Sequence, residues 1–96
     1  MGASFATERR LLSEEEVGFV RRSHMPALAA LTPEEALETA RWLRERHARA
    51  QGKVRDLRRA RRGKSPGDGA PSERGLAAKK QVFARALKRL NGKLGA

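Results

Sequence analysis

The sequence predicts an all-α fold, and three observations carry that expectation. Ile, Tyr and Cys are absent while Ala, Leu, Arg, Glu and Lys dominate, so strand formers are scarce and helix formers abundant. Two segments carry a seam at alternating spacings of four and three. The first holds Ala36, Ala40, Leu43, His47, Ala50, Val54 and Leu57; the second holds Phe83, Leu87, Leu90 and Leu94, with Leu76 one heptad earlier. Finally, three segments open on cap residues and close on breakers.

The first predicted helix spans residues 14–22. Ser13 with Glu16 three positions on is a capping box, and Glu14 and Glu15 suit the positive end of the helix dipole. It stops before Met25-Pro26, because the residue before proline avoids helical geometry. The second spans 33–62. Thr32 is its N-cap, Pro33 its first residue and Glu35 the carboxylate at the third position, with Gly63 as the stop. Gly52 inside it costs about 1 kcal/mol against Ala and marks a bend or a close contact. Residues 63–72, rich in Gly and Pro, read as a mobile loop. Ser72 caps the third helix, 73–90, which Asn91-Gly92 ends.

These elements form one small domain over residues 13–92, with a flexible N-terminal tail (1–12) and a C-terminal tail (93–96). The expected architecture is a short N-terminal helix followed by an antiparallel hairpin of one long and one medium helix. The medium helix covers only the C-terminal part of the long one. Phe19, Val20, Leu28 and Leu31 cover the rest, around Leu37, Trp42 and Leu43. Hydrophobic residues make up 39% of the chain and aromatics 4%, so the core is thin. Pairing of two hairpins into a dimeric four-helix bundle is therefore expected.

The 96 residues carry a formal charge of +11, unevenly spread. Residues 1–40 hold four basic and seven acidic side chains; residues 41–96 hold eighteen basic and four acidic ones. Between Arg41 and Lys64 eleven basic residues face only Glu45 and Asp56. A GC-rich genome accounts for Arg over Lys but not for the surplus in one half. Solvated helix faces interleave acids with bases, because like charges at i, i+3 and i, i+4 repel. The missing acids point to a polyanion, held through paired hydrogen bonds from Arg to phosphate.

Helical geometry puts Arg41, Arg44, Arg55, Arg58, Arg59 and Arg62 in one sector beside the seam, with Lys64 following. From Arg41 to Arg62 the row is about 31 Å long, close to one turn of duplex DNA. Lys79, Lys80, Arg85, Lys88 and Arg89 add charge on the third helix. Side chains that read base edges are nearly absent from this surface, Gln51 and Gln81 being isolated. Trp42 reads as a half-buried core residue against the first helix rather than a stacking platform.

The expectation is therefore a basic protein that contacts the phosphate backbone of DNA, or next of RNA, without base-specific readout. Its setting would be a bacterial cytoplasmic nucleoid or ribonucleoprotein. The alternative is a helical adaptor for an acidic protein partner. No membrane partner is expected, since the seam lacks the bulky apolar face of interfacial helices. Two histidines without Cys make no convincing metal site, and no nucleophile–base spacing or phosphate loop is present, so no cofactor or enzymatic activity is expected.

Overall fold

The computed structural model describes residues 4–61 and 71–95. Among them all regular structure is helical: α1 (Phe5–Glu8), a 3-10 turn (Arg9–Leu11), α2 (Glu14–Arg21), α3 (Ala27–Ala30), α4 (Pro33–Arg61) and α5 (Pro71–Leu94). The expected loop falls outside the described residues over 63–70.

The predicted capping box at α2 is formed, and the predicted start of α4 forms a second one. At α2 the Ser13 N–H donates to Glu16 Oε1 at 2.8 Å, and the Glu16 N–H donates back to Ser13 Oγ at 3.3 Å. At α4 the Thr32 N–H donates to Glu35 Oε1 at 2.8 Å and the Glu35 N–H to Thr32 Oγ1 at 3.1 Å. Each box satisfies two backbone donors that a helix start otherwise leaves unpaired.

α4 and α5 form the antiparallel hairpin. Near the connection, Arg58 meets Glu73; sixteen residues back along α4, the Trp42 indole meets the Phe83 ring edge-on, ten residues further along α5. On α4 the core lies along the predicted seam, with Ala36, Ala40, Leu43, Ala50 and Val54 buried. On α5 Phe83 and Leu90 of the predicted stripe are buried together with Val82 and Ala86 beside it, while Leu76, Leu87 and Leu94 are half-buried. Narrow Ala positions let the helix axes approach, and Phe83 and the leucines fill the space between them.

α5 is longer than expected at both ends. It starts at Pro71, whose fixed φ suits a first helical turn. It runs through Asn91-Gly92 to Leu94, which packs against the core cluster one seam step beyond Leu90. That burial outweighs the cost of a helical glycine. The helix ends at Gly95, whose φ of 79° is the left-handed conformation only glycine adopts freely. With this extra length, Leu94 packs against a core cluster that includes Ala36 and Ala40 near the start of α4. The medium helix thus covers the long one almost to its N-terminus.

Two further departures lie in the first forty residues. Residues 5–11, read as tail, form α1 and the 3-10 turn, with Phe5 and Leu12 packed against the core and Glu8 fully buried. Their cause is polar: Glu8 is held by three cationic or imidazole groups from α5 and the α2–α3 connection, described below. Leu37, expected under the N-terminal helix, is 46% exposed. At 100° per residue it points about a quarter-turn away from the Ala36–Ala40 seam, while Val20, Leu28 and Leu31 gather on the seam side.

Candidate nucleic-acid interface

The basic residues singled out in the sequence fall into separate environments. Arg55, Arg58 and Arg59 of α4 converge with Lys80 of α5 on an open groove of about 410 Å³, which Gln51 and Val54 also line. Successive turns of α4 place the three arginines, and the antiparallel packing of α5 brings Lys80 across to them. Arg58 Nε donates to Glu73 Oε1 at 3.3 Å, leaving its two terminal NH2 groups available. Among the described residues no carboxylate pairs with Arg55, Arg59 or Lys80. Four cations with one carboxylate between them leave a strong positive potential in a groove of low-dielectric walls.

Arg85 and Arg89 lie elsewhere, turned towards Glu8. The His24 Nε2 is 2.6 Å from Glu8 Oε1, while Arg85 Nε and Arg89 Nη2 each donate to Glu8 Oε2 at 3.3 Å. Arg89 Nη1 also donates to Ser23 Oγ at 3.1 Å, and that hydroxyl donates to the Val20 carbonyl at 2.7 Å. Every buried polar atom of this centre is satisfied. Its chemistry is structural: it clamps α1 and the end of α2 to α5. The sequence carried a faint signal of it in Phe5 and Leu12, apolar residues with no use in a solvated tail.

Lys79 is also engaged internally, with Nζ 3.0 Å from Glu16 Oε1. Burial pushes the Glu16 carboxyl up, but the Ser13 hydrogen bonds and the Lys79 ammonium together outweigh that and hold it below its ordinary 4.5. Arg41 borders a different groove, of about 630 Å³, among Phe19, Leu37, Trp42 and the acids Glu34, Glu38 and Glu45. Arg44 is exposed and lines neither groove. Lys88 borders a third, with His47, Ala84, Leu87 and Asn91. Arg62 and Lys64 lie outside the described residues.

Trp42 is a packing residue. Its indole stacks on Phe19 at 4.2 Å and meets Phe83 edge-on at 5.9 Å. The Arg46 guanidinium sits 4.9 Å from its ring centroid, and Arg22 sits 5.0 Å from that of Phe19. Neither ring is free for a base.

Among the described residues no group of three His, Asp or Glu side chains is placed to hold a metal ion, and no helix is long and apolar enough to cross a membrane. No family model, curated protein or solved structure matches this chain.

Proposed function

We propose that this protein binds the phosphate backbone of nucleic acid, duplex DNA ahead of RNA, through the groove between α4 and α5. The observation that carries the reading is the convergence of Arg55, Arg58, Arg59 and Lys80 on one open groove with a single carboxylate, Glu73, among them. Guanidinium groups bind phosphate oxygens in pairs, and Lys80 supplies a point charge on the opposite wall. Recognition is of backbone and shape, because Gln51 is the lone side chain in the groove suited to base edges. Arg44 and Lys88, both exposed, extend the positive surface; Arg85, Arg89 and Lys79 support the fold instead. A nucleoid or ribonucleoprotein setting in the cytoplasm follows from this reading.

The test is fluorescence anisotropy with a mixed-sequence DNA duplex across a salt series. Four neutralised phosphates give a log–log slope of about −3.6. The triple variant R55E/R59E/K80E should lose binding while keeping its helical circular dichroism, since all three side chains reach solvent. Unchanged binding by that variant overturns the proposal. So does a nuclease-treated pull-down that retains an acidic protein while DNA and RNA fail to bind, which would make the groove an adaptor site.

A further inference from the structure

The seam of α4 is occupied within one chain, by α5 and by residues of α1 to α3. The opposite face of α4 is open, and it has an order of its own. We infer that this outer face docks onto α4 of a second copy, antiparallel and two-fold symmetric.

The inference rests on charge complementarity in a fixed register. Starting at Glu34, the outer face repeats at four, three, four, three, four, three and four residues, ending at Arg59. This is the seam's own rhythm, displaced by half a turn. The series reads the same in both directions about a point between Arg46 and His47. An antiparallel copy centred there sets Glu34 opposite Arg59, Glu38 opposite Arg55, Glu45 opposite Ala48 and Arg41 opposite Gly52. Two-fold symmetry makes each pairing twice. The carboxylates fall on guanidinium groups at the two ends, and the long side chains of the middle fall on the two smallest residues of the stripe.

The structure leaves these groups available. Glu34, Glu38, Arg41, Glu45, Arg55 and Arg59 are exposed. Glu38 is 3.3 Å from Arg22, and Glu45 is 2.6 Å from Arg49 of its own chain, yet their side chains stay 64% and 65% exposed and can accept again. A Cβ on Gly52 would meet nothing within 4 Å, so the fold of one chain gives no use for a glycine there. Beside the stripe, Leu37 is exposed, and this register lays the aliphatic stem of Arg55 from the second copy near it. The stripe from Glu34 to Arg59 is about 38 Å long. Two copies of charge +11 repel at long range, but at about 0.15 M salt the Debye length of about 8 Å screens that repulsion more than contact pairs. Arg55 and Arg59 also border the proposed phosphate groove; the pairing does not rest on that function, and nucleic acid would compete with it.

The experiment is sedimentation equilibrium of the full chain at about 0.15 M salt, after nuclease treatment and removal of nucleic acid. The parent protein should show a concentration-dependent monomer–dimer equilibrium. E34R/E38R makes the stripe wholly basic at its ends, and R55E/R59E makes it wholly acidic. Each alone should weaken the dimer more than tenfold, with circular dichroism unchanged. An equimolar mixture of the two should restore a dimer, because every end pair is then complementary. R44E/K53E reverses the same charge off the stripe and should not rescue E34R/E38R. A monomeric parent overturns the inference, as do variants that dimerise like the parent. A mixture that stays monomeric, or rescue by R44E/K53E to the same extent, overturns it equally. Because nucleic acid is absent throughout, failure here leaves the phosphate-binding proposal standing, and failure of DNA binding leaves the dimer standing.

Discussion

The rings of Phe19 and Trp42 lie 4.2 Å apart and 8° from parallel, with a guanidinium on each: Arg22 by Phe19 and Arg46 by Trp42. The same two arginines cross-link the helices in opposite directions. Arg46 of α4 donates to Glu15 of α2 at 2.6 Å, and Arg22 at the end of α2 donates to Glu38 and Thr39 of α4 at 3.3 and 3.2 Å. The aromatic pair is therefore the pivot on which α2 docks. Phe19→Ala should lower unfolding free energy by about 2 kcal/mol, combining lost burial of a half-exposed ring with the lost stack. Trp42 is the sole tryptophan, so its emission reports the change directly. A red-shifted native spectrum with retained helicity is the expected result; an unaltered spectrum would place the docking energy elsewhere.

Glu8 anchors the N-terminal residues by charge rather than by an apolar stripe. Its carboxylate is fully buried beneath His24, Arg85 and Arg89. Glu8→Ala leaves three donors without their acceptor, which costs about 3 kcal/mol for a broken buried pair. In a domain of this size that is about 12–24 °C in melting temperature. Glu8→Gln keeps the shape and one acceptor oxygen, and should fall between the two. Hydrogen exchange of the amides of α1 should accelerate in both variants. A melting temperature within about 2 °C of the parent, well under the shift for 1 kcal/mol, would count against the clamp.

These two relationships mark what the sequence could and could not disclose. Helix starts were legible because capping is local: Ser13–Glu16 and Thr32–Glu35 need no other part of the chain. The seam of α4 was legible because its spacing repeats. Glu8 was not, since its partners lie 16, 77 and 81 residues away and a lone carboxylate between Thr7 and Arg9 has no period. The same distance explains the basic site. Arg85 and Arg89 look like Arg55 and Arg59 in the sequence, and only packing against α1 separates structural cations from exposed ones. Lys80 joined the groove for the converse reason, the antiparallel crossing of α5.

Acid should weaken the start of α2. The Glu16 carboxyl is pushed up by burial, but more strongly held down by Ser13 and Lys79, so its folded value lies below 4.5. A group depressed in the folded state stabilises fully above its unfolded value and loses that contribution as pH falls through the folded one. Glu35 is depressed likewise, by the Thr32 backbone and hydroxyl hydrogen bonds. Urea midpoints should therefore hold steady above about pH 5 and fall progressively below it, as the unfolded carboxyl titrates around its ordinary 4.5. Glu16→Gln should show a smaller fall over the same range. An equal fall in that variant would assign the acid sensitivity to other carboxylates.

Gly52 separates the demands of one chain from those of two. It sits inside α4, where glycine costs about 1 kcal/mol against alanine. An added Cβ would meet open space within 4 Å, so Gly52→Ala should raise the stability of the monomer by about 0.5–1 kcal/mol. The measurement is urea unfolding at a protein concentration where the chain is monomeric. In the antiparallel pair, however, Gly52 faces Arg41 of the second copy, and the methyl group takes up space that the arginine stem needs. The same substitution should therefore weaken dimerisation in sedimentation equilibrium while strengthening the fold. Arg41→Ala should relieve that conflict, so that dimerisation of the double variant R41A/G52A falls no further than that of R41A alone. Monomer stability and dimer affinity rising together would mean that Gly52 faces solvent in both states, and the register would have to be abandoned.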